Sequence, residues 1–148
     1  MMYLLLGLAA VIIAGLAFYA GQLLWQVKQQ KLQQELERQK RLDYLTHSIS
    51  HIAKAMQAEQ CDYSEGVLRI WVLLDHYNKE QTNPRDYATS YPGFASLYDV
   101  VKDMPTHEAR KKYDKREIHK MDLQRWRAEK ELEEEISKDL NRILEEFV

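Results

Sequence analysis

The sequence is poor in residues that cross-link or turn a chain. Its 148 residues contain one cysteine, Cys61, three prolines and five glycines. A single thiol excludes an internal disulfide and fits a reducing compartment. Few turn formers beside 30% charged residues argue for helices rather than a sheet. An excess of one charge sign is missing too. The net charge is −2 and the isoelectric point is near 6.2, so no global field favours nucleic acid or an acidic ligand. No Gly-rich phosphate loop, paired-cysteine motif or hydrolase motif occurs. The most informative absence is local. No charged side chain precedes Lys28.

That uncharged stretch, MMYLLLGLAAVIIAGLAFYAGQLLWQV, predicts a transmembrane helix over residues 1–27. At about 1.5 Å per residue, roughly 20 apolar residues cross about 30 Å of hydrocarbon. No basic segment precedes it, and Phe18-Tyr19-Ala20 lacks the small-x-small pattern of a cleavage site, so the stretch reads as an uncleaved anchor. Residues 28–41 carry five basic side chains (Lys28, Lys31, Arg38, Lys40, Arg41) against Glu35 and Glu37. Basic flanks stay on the cytoplasmic side, which predicts a single-pass protein with its N-terminus outside and its C-terminal domain in the cytoplasm. Tyr3 and Trp25 fall where amphipathic rings suit the headgroup layer. Gly7, Ala10, Ala14, Ala17 and Gly21 repeat at 3, 4, 3, 4 and form a seam of small residues. Such a seam suits close helix pairing in lipid; the alternative is the ordinary abundance of Ala and Gly in membrane helices.

Residues 28–41 read as a polar helical stem, with only Leu32 and Leu36 apolar. The 107 residues from 42 to 148 suffice for one small α-helical domain. Leu42, Leu45, Ile49, Ile52 and Met56 make one apolar helical stripe, too short for a dedicated coiled coil. Asp62 and Glu65 have capping-box spacing ahead of a helix apolar on most sides, from Val67 to Tyr77, the candidate centre of the core. Residues 81–93 read as loop, followed by a short helix carrying Phe94, Leu97, Tyr98 and Val101. Thr106 suits the cap of a long final helix, uninterrupted by Gly or Pro, with Ala109, Tyr113, Met121, Leu132, Ile136, Leu140, Ile143 and Phe147 on its apolar side. The predicted fold is all-α: an anchor helix continuing into a stem, then a bundle of about four helices with a long C-terminal helix.

The blocks SEGVLRIWVLLDHY and MPTHEARKKYDKREIHKMDL resemble a family of uncharacterised bacterial proteins, classed as a domain of unknown function. The resemblance implies an N-terminal anchor, a helical cytoplasmic domain and a bacterial inner-membrane setting. It implies no activity and no catalytic residues.

Three constellations invite chemistry. His47 and His51 are four apart and so share a helix face, which is half of a divalent metal site; the alternative is two polar residues on an open face. Cys61 has the nucleophile's atom but no local motif, and Asp75-His76 ends an apolar helix where a polar exit is ordinary. Arg110, Lys111, Lys112, Lys115, Arg116 and Lys120, with Tyr113 and Trp126 among them, form a basic patch that suits RNA or anionic lipid. Interleaved acids favour a solvated face instead, and nucleic acid is not the expected partner.

No cofactor is expected, and the sequence favours a non-enzymatic role. The expectation is a membrane-anchored structural or interaction protein that presents a helical module to a protein partner, with membrane lipid and a second copy as further partners. The alternatives are a metal-dependent enzyme using His47 and His51, and RNA binding through residues 110–127.

Overall fold

No proline occurs before Pro84 and no glycine between Gly21 and Gly66, so nothing in the chemistry of the chain breaks its first helix. In the computed structural model that helix, α1, runs Met2–Gln57. The structure describes residues 1–105 and 107–148, His107 by its backbone alone; the cap expected at Thr106 lies outside the described residues. The chain divides into two units, Met1–Arg41 and Leu42–Val148.

The first unit is the leading part of α1. Its large apolar side chains, among them Leu4, Ile12, Leu16, Phe18 and Leu24, are all exposed. It is the one described helix long and apolar enough to cross a membrane, and none of the qualifying window is buried.

The second unit begins with the rest of α1, which ends in a Schellman motif. Gln60 N–H donates to the Ala55 carbonyl at 2.9 Å and Glu59 N–H to Met56 at 3.1 Å. Glu59 occupies the left-handed position, φ 55°, that usually takes glycine. There follow α2 (Tyr63–Glu80), α3 (Tyr87–Ser90), α4 (Pro92–Val101), α5 (His107–Arg110), α6 (Lys115–Glu131) and α7 (Glu133–Phe147). The all-α expectation holds. α3 forms inside the stretch expected to be loop, capped by Asp86, whose carboxylate accepts from Ala88 N–H (3.1 Å) and the Thr89 hydroxyl (2.6 Å). Pro92 opens α4 at the position where a missing N–H costs nothing.

Ile49, Ala53 and Met56 of α1, Ile70 and Leu74 of α2, Phe94 and Leu97 of α4, and Ile136, Ile143 and Phe147 of α7 share one core. Its centre is α4 rather than α2. α4 packs against α2, α3, α6 and α7, while α2 leaves Val72 exposed and Trp71 only half-buried, stacked on Tyr98 at 5.3 Å. α4 can approach α7 closely because residue 93 is glycine. A Cβ there would lie 2.7 Å from the Glu135 carbonyl carbon and 2.8 Å from the Ile136 nitrogen.

The single long C-terminal helix expected from the absence of Gly and Pro is divided into α5, α6 and α7. The first break is local chemistry: Asp114 and Glu117 form a capping box that starts α6. The second falls at Leu132, which ends α6 and precedes α7 with neither Gly nor Pro present. α7 turns Ile136, Asp139, Leu140, Ile143 and Phe147 inward, whereas Ala109 and Tyr113, expected on the apolar side, are exposed.

The capping box expected at Asp62 does not form; the Asp62 side chain makes no cap hydrogen bond. Glu129 of α6 reaches the first turn of α2 instead and accepts from Ser64 N–H at 3.1 Å and from the Ser64 hydroxyl. α4 is capped the same way. Tyr91 precedes it without a usable side-chain acceptor, and Asp139 of α7 accepts from Gly93 N–H (2.7 Å) and Phe94 N–H (3.1 Å). Two helix N-termini thus receive carboxylates from distant helices, each carboxylate meeting unpaired N–H groups and the positive end of a helix dipole.

Candidate functional site

The segment of α1 from Tyr44 to Ile52 and the middle of α2 leave an open cleft of about 630 Å³ between them. Ile52, Leu68, Val72 and Leu73 make its walls apolar, and His47 and His51 stand at its edge. Leu45, Ile49 and Ala53 hold this stretch of α1 to the core, so the helix presents its other side, with Tyr44, His47 and His51, to solvent. The two imidazoles are nearly parallel, 9° apart in plane, with centroids 6.5 Å apart. The spacing of four thus puts the two side chains on one face of the helix. Among the described residues no cluster of three or more His, Cys, Asp or Glu side chains is placed to hold a metal ion. Among the described residues, the carboxylates that an enzymatic metal centre would require are not gathered around the pair.

A second cleft, about 480 Å³, lies over Leu68, Val101, Met104 and Met121. Its polar rim is built around Asp122, which takes Arg110 in a two-pronged pair (2.6 and 3.0 Å) and has Arg125 at 3.8 Å. The Arg110 hydrogen bonds hold the Asp122 carboxyl below the usual carboxylate range. The basic patch read from the sequence is therefore not one helical stripe. Arg110 is committed to Asp122 and Lys111 to Glu108 (2.6 Å), and a turn separates both from Lys115, Arg116 and Lys120 on α6. Lys112, Lys115, Arg116 and Lys120 are exposed.

Cys61 is half-buried with its thiol facing the Asp62 carbonyl at 3.6 Å. Burial, then Glu65, push that thiol up, the opposite of what a nucleophile needs. Gly7 and Gly21 of the small-residue seam have open space where a Cβ would be, and Ala10, Ala14 and Ala17 are exposed.

The polar groups that most organise the domain are ones the sequence reading passed over. Asp139 is 2% exposed, although it lies in an acid-rich stretch of the chain. Its register was the available signal, since it falls between Ile136 and Leu140 on the inward face. Glu146 is gripped by Arg85 and by the Tyr91 hydroxyl, both at 2.5 Å, joining the 81–86 loop to the end of α7. Burial, with Glu146 close by, pushes the Tyr87 hydroxyl up to about 12 and Tyr91 higher still. The two tyrosine hydroxyls are thus structural groups rather than acids or bases poised for neutral pH.

The chain matches the family described as "Protein of unknown function (DUF2489)" over residues 13–143, nearly its whole length. It belongs to that family. It is similar to an uncharacterized protein of Haemophilus influenzae (strain ATCC 51907 / DSM 11121 / KW20 / Rd), with 40% identity over 147 residues that cover 99% of this chain and 96% of the relative. No solved structure matches.

Proposed function

We propose that this DUF2489 member is a membrane-tethered interaction protein. Its N-terminal helix would hold the helical domain on the cytoplasmic face of a bacterial inner membrane, where the domain meets a protein partner. The observation that carries the reading is the leading part of α1, an uncharged helix of membrane-spanning length with none of its apolar window buried. Leaving a Leu, Ile or Phe side chain in water forfeits about 1.5–3 kcal/mol each, so a run of them calls for lipid or protein around it. The basic flank of residues 28–41 supports the orientation. The family's bacterial relative supports the setting. The apolar cleft between α1 and α2, with Tyr44 70% and Val72 48% exposed, supports a protein partner over a small substrate.

A photo-crosslinking side chain at Val72 of the full chain in native membranes tests the partner. Discrete adducts with a second protein are expected from Val72 and not from Lys138, on α7. Adducts from neither position, with the chain intact in the membrane, would remove the interaction reading.

A further inference from the structure

We propose that His47 and His51 form a two-imidazole chelate for a borderline divalent transition metal of the zinc type. Three observations lead there. The two side chains leave α1 one turn apart on the same face with ring centroids 6.5 Å apart; the rings are stacked, so both must turn for their nitrogens to converge on one ion. Both are exposed, so each can turn about its side-chain bonds to bring a ring nitrogen to a shared ion, at the bond length of about 2.0–2.1 Å that zinc requires, without disturbing the core. The backbone beneath them is fixed, because Leu45, Ile49 and Ala53 pack this stretch of α1 into the domain. The helix thus fixes where both side chains start, and an ion has only their rotation about side-chain bonds left to order. Neutral imidazole suits zinc, nickel and copper, and suits magnesium or calcium poorly.

The chelate differs from the catalytic centre the sequence alone suggested. No further His, Cys, Asp or Glu among the described residues completes the coordination. Two protein ligands leave at least two positions to water or to a donor brought from outside. Those positions open beside the apolar cleft walled by Ile52, Leu68 and Val72. The site is therefore exchangeable, weaker than a closed four-ligand site, and placed where a docking molecule can supply the missing ligand. The inference does not depend on the membrane reading, since it rests on the Leu42–Val148 unit alone.

Calorimetric titration of the full chain in detergent with zinc chloride tests it, in a buffer that does not bind metal. Saturable binding is expected. His47→Ala and His51→Ala should each weaken it by about tenfold or more, the equivalent of one lost ligand bond. A chain carrying both His76→Ala and His119→Ala should bind as the parent does. The ring-proton resonances of two histidines should shift on zinc addition in the parent, and thermal melts without metal should be alike for parent and variants, because both imidazoles are exposed. His47→Gln and His51→Gln provide a second pair of variants should an alanine disturb the helix. Absence of saturable binding, or undiminished affinity in the single-histidine variants, would overturn the proposal. So would loss of binding in the His76/His119 chain.

Discussion

At the scale of single residues, Asp139 shows how an ordinary side chain becomes a structural one through burial. Its carboxylate accepts two backbone N–H groups at the start of α4 and lies 3.6 Å from Arg142. Burial pushes the Asp139 carboxyl up, and the Phe94 and Gly93 N–H groups and Arg142 only partly oppose that rise. A carboxyl with a folded value above its unfolded value of about 3.9 binds its proton more tightly in the native state. Its contribution to stability is thus fully present below the unfolded value and is lost as pH rises through the folded one. Asp139→Asn removes the titration while keeping an acceptor. The melting temperature of the parent minus that of Asp139→Asn should therefore fall between pH 4 and pH 7, and a difference that grows with pH would contradict the assignment. Glu59 offers a simpler case. It holds a left-handed conformation in the Schellman motif at the end of α1. Glu59→Gly should raise the melting temperature, by an amount corresponding to about 1 kcal/mol of relieved backbone strain. An unchanged or lower melting temperature would mean that the Glu59 side chain contributes more than its backbone costs.

At the scale of elements, the contact between α4 and α7 defines the domain, and its closeness depends on Gly93. An added Cβ there meets the backbone of Glu135 and Ile136, which cannot turn aside. At Gly66 the nearest atoms an added Cβ meets belong to the Met56 side chain, long and unbranched, rather than to backbone. Gly93→Ala should cost about 1–3 kcal/mol through overpacking, even though alanine is the better helix former. Gly66→Ala should cost clearly less. Denaturant midpoints of the two variants in the full chain check this ordering, and equal losses would show that the α4–α7 contact yields more readily than its geometry implies.

Elements were legible in the sequence to the extent that they follow from local patterns. Of the stripe Leu42, Leu45, Ile49, Ile52 and Met56, the middle and end residues Leu45, Ile49 and Met56 are buried while Leu42 and Ile52 are half-buried, and Ile136, Leu140, Ile143 and Phe147 face the core as their spacing predicts. The breaks and caps that depend on distant parts of the chain were not legible. Asp62 has the right spacing for a capping box, yet Glu129 from α6 takes its role at Ser64. Asp114 and Glu117 are a local exception: three apart inside what reads as one helix, they form a capping box whose spacing stands in the sequence. Leu132 ends a helix with no breaker residue, because α7 must turn to meet α4. Of the candidate sites, the His47–His51 pair follows from a spacing of four alone. The basic run is divided between α5, the turn after it and α6, and ion pairing commits Arg110 to Asp122.

At the scale of the whole molecule, the account rests on an apolar helical segment and a domain that buries a core of its own. The segment exposes Leu4, Ile12, Phe18 and Leu24, while the domain buries Phe94, Ile49 and Ile136 completely. Their solvent preferences differ, and the basic residues between Lys28 and Arg41 mark the side on which the domain is expected to stay. The most direct test is a pair of reporters fused after Val148 in living bacteria, one active only in the cytoplasm and one active only outside it, combined with alkaline extraction of the membranes. The account predicts a bright cytoplasmic reporter, a silent external one, and a fusion that stays with the membrane pellet after extraction. An active external reporter would reverse the orientation, and release of the intact fusion into the soluble fraction would contradict the anchor itself.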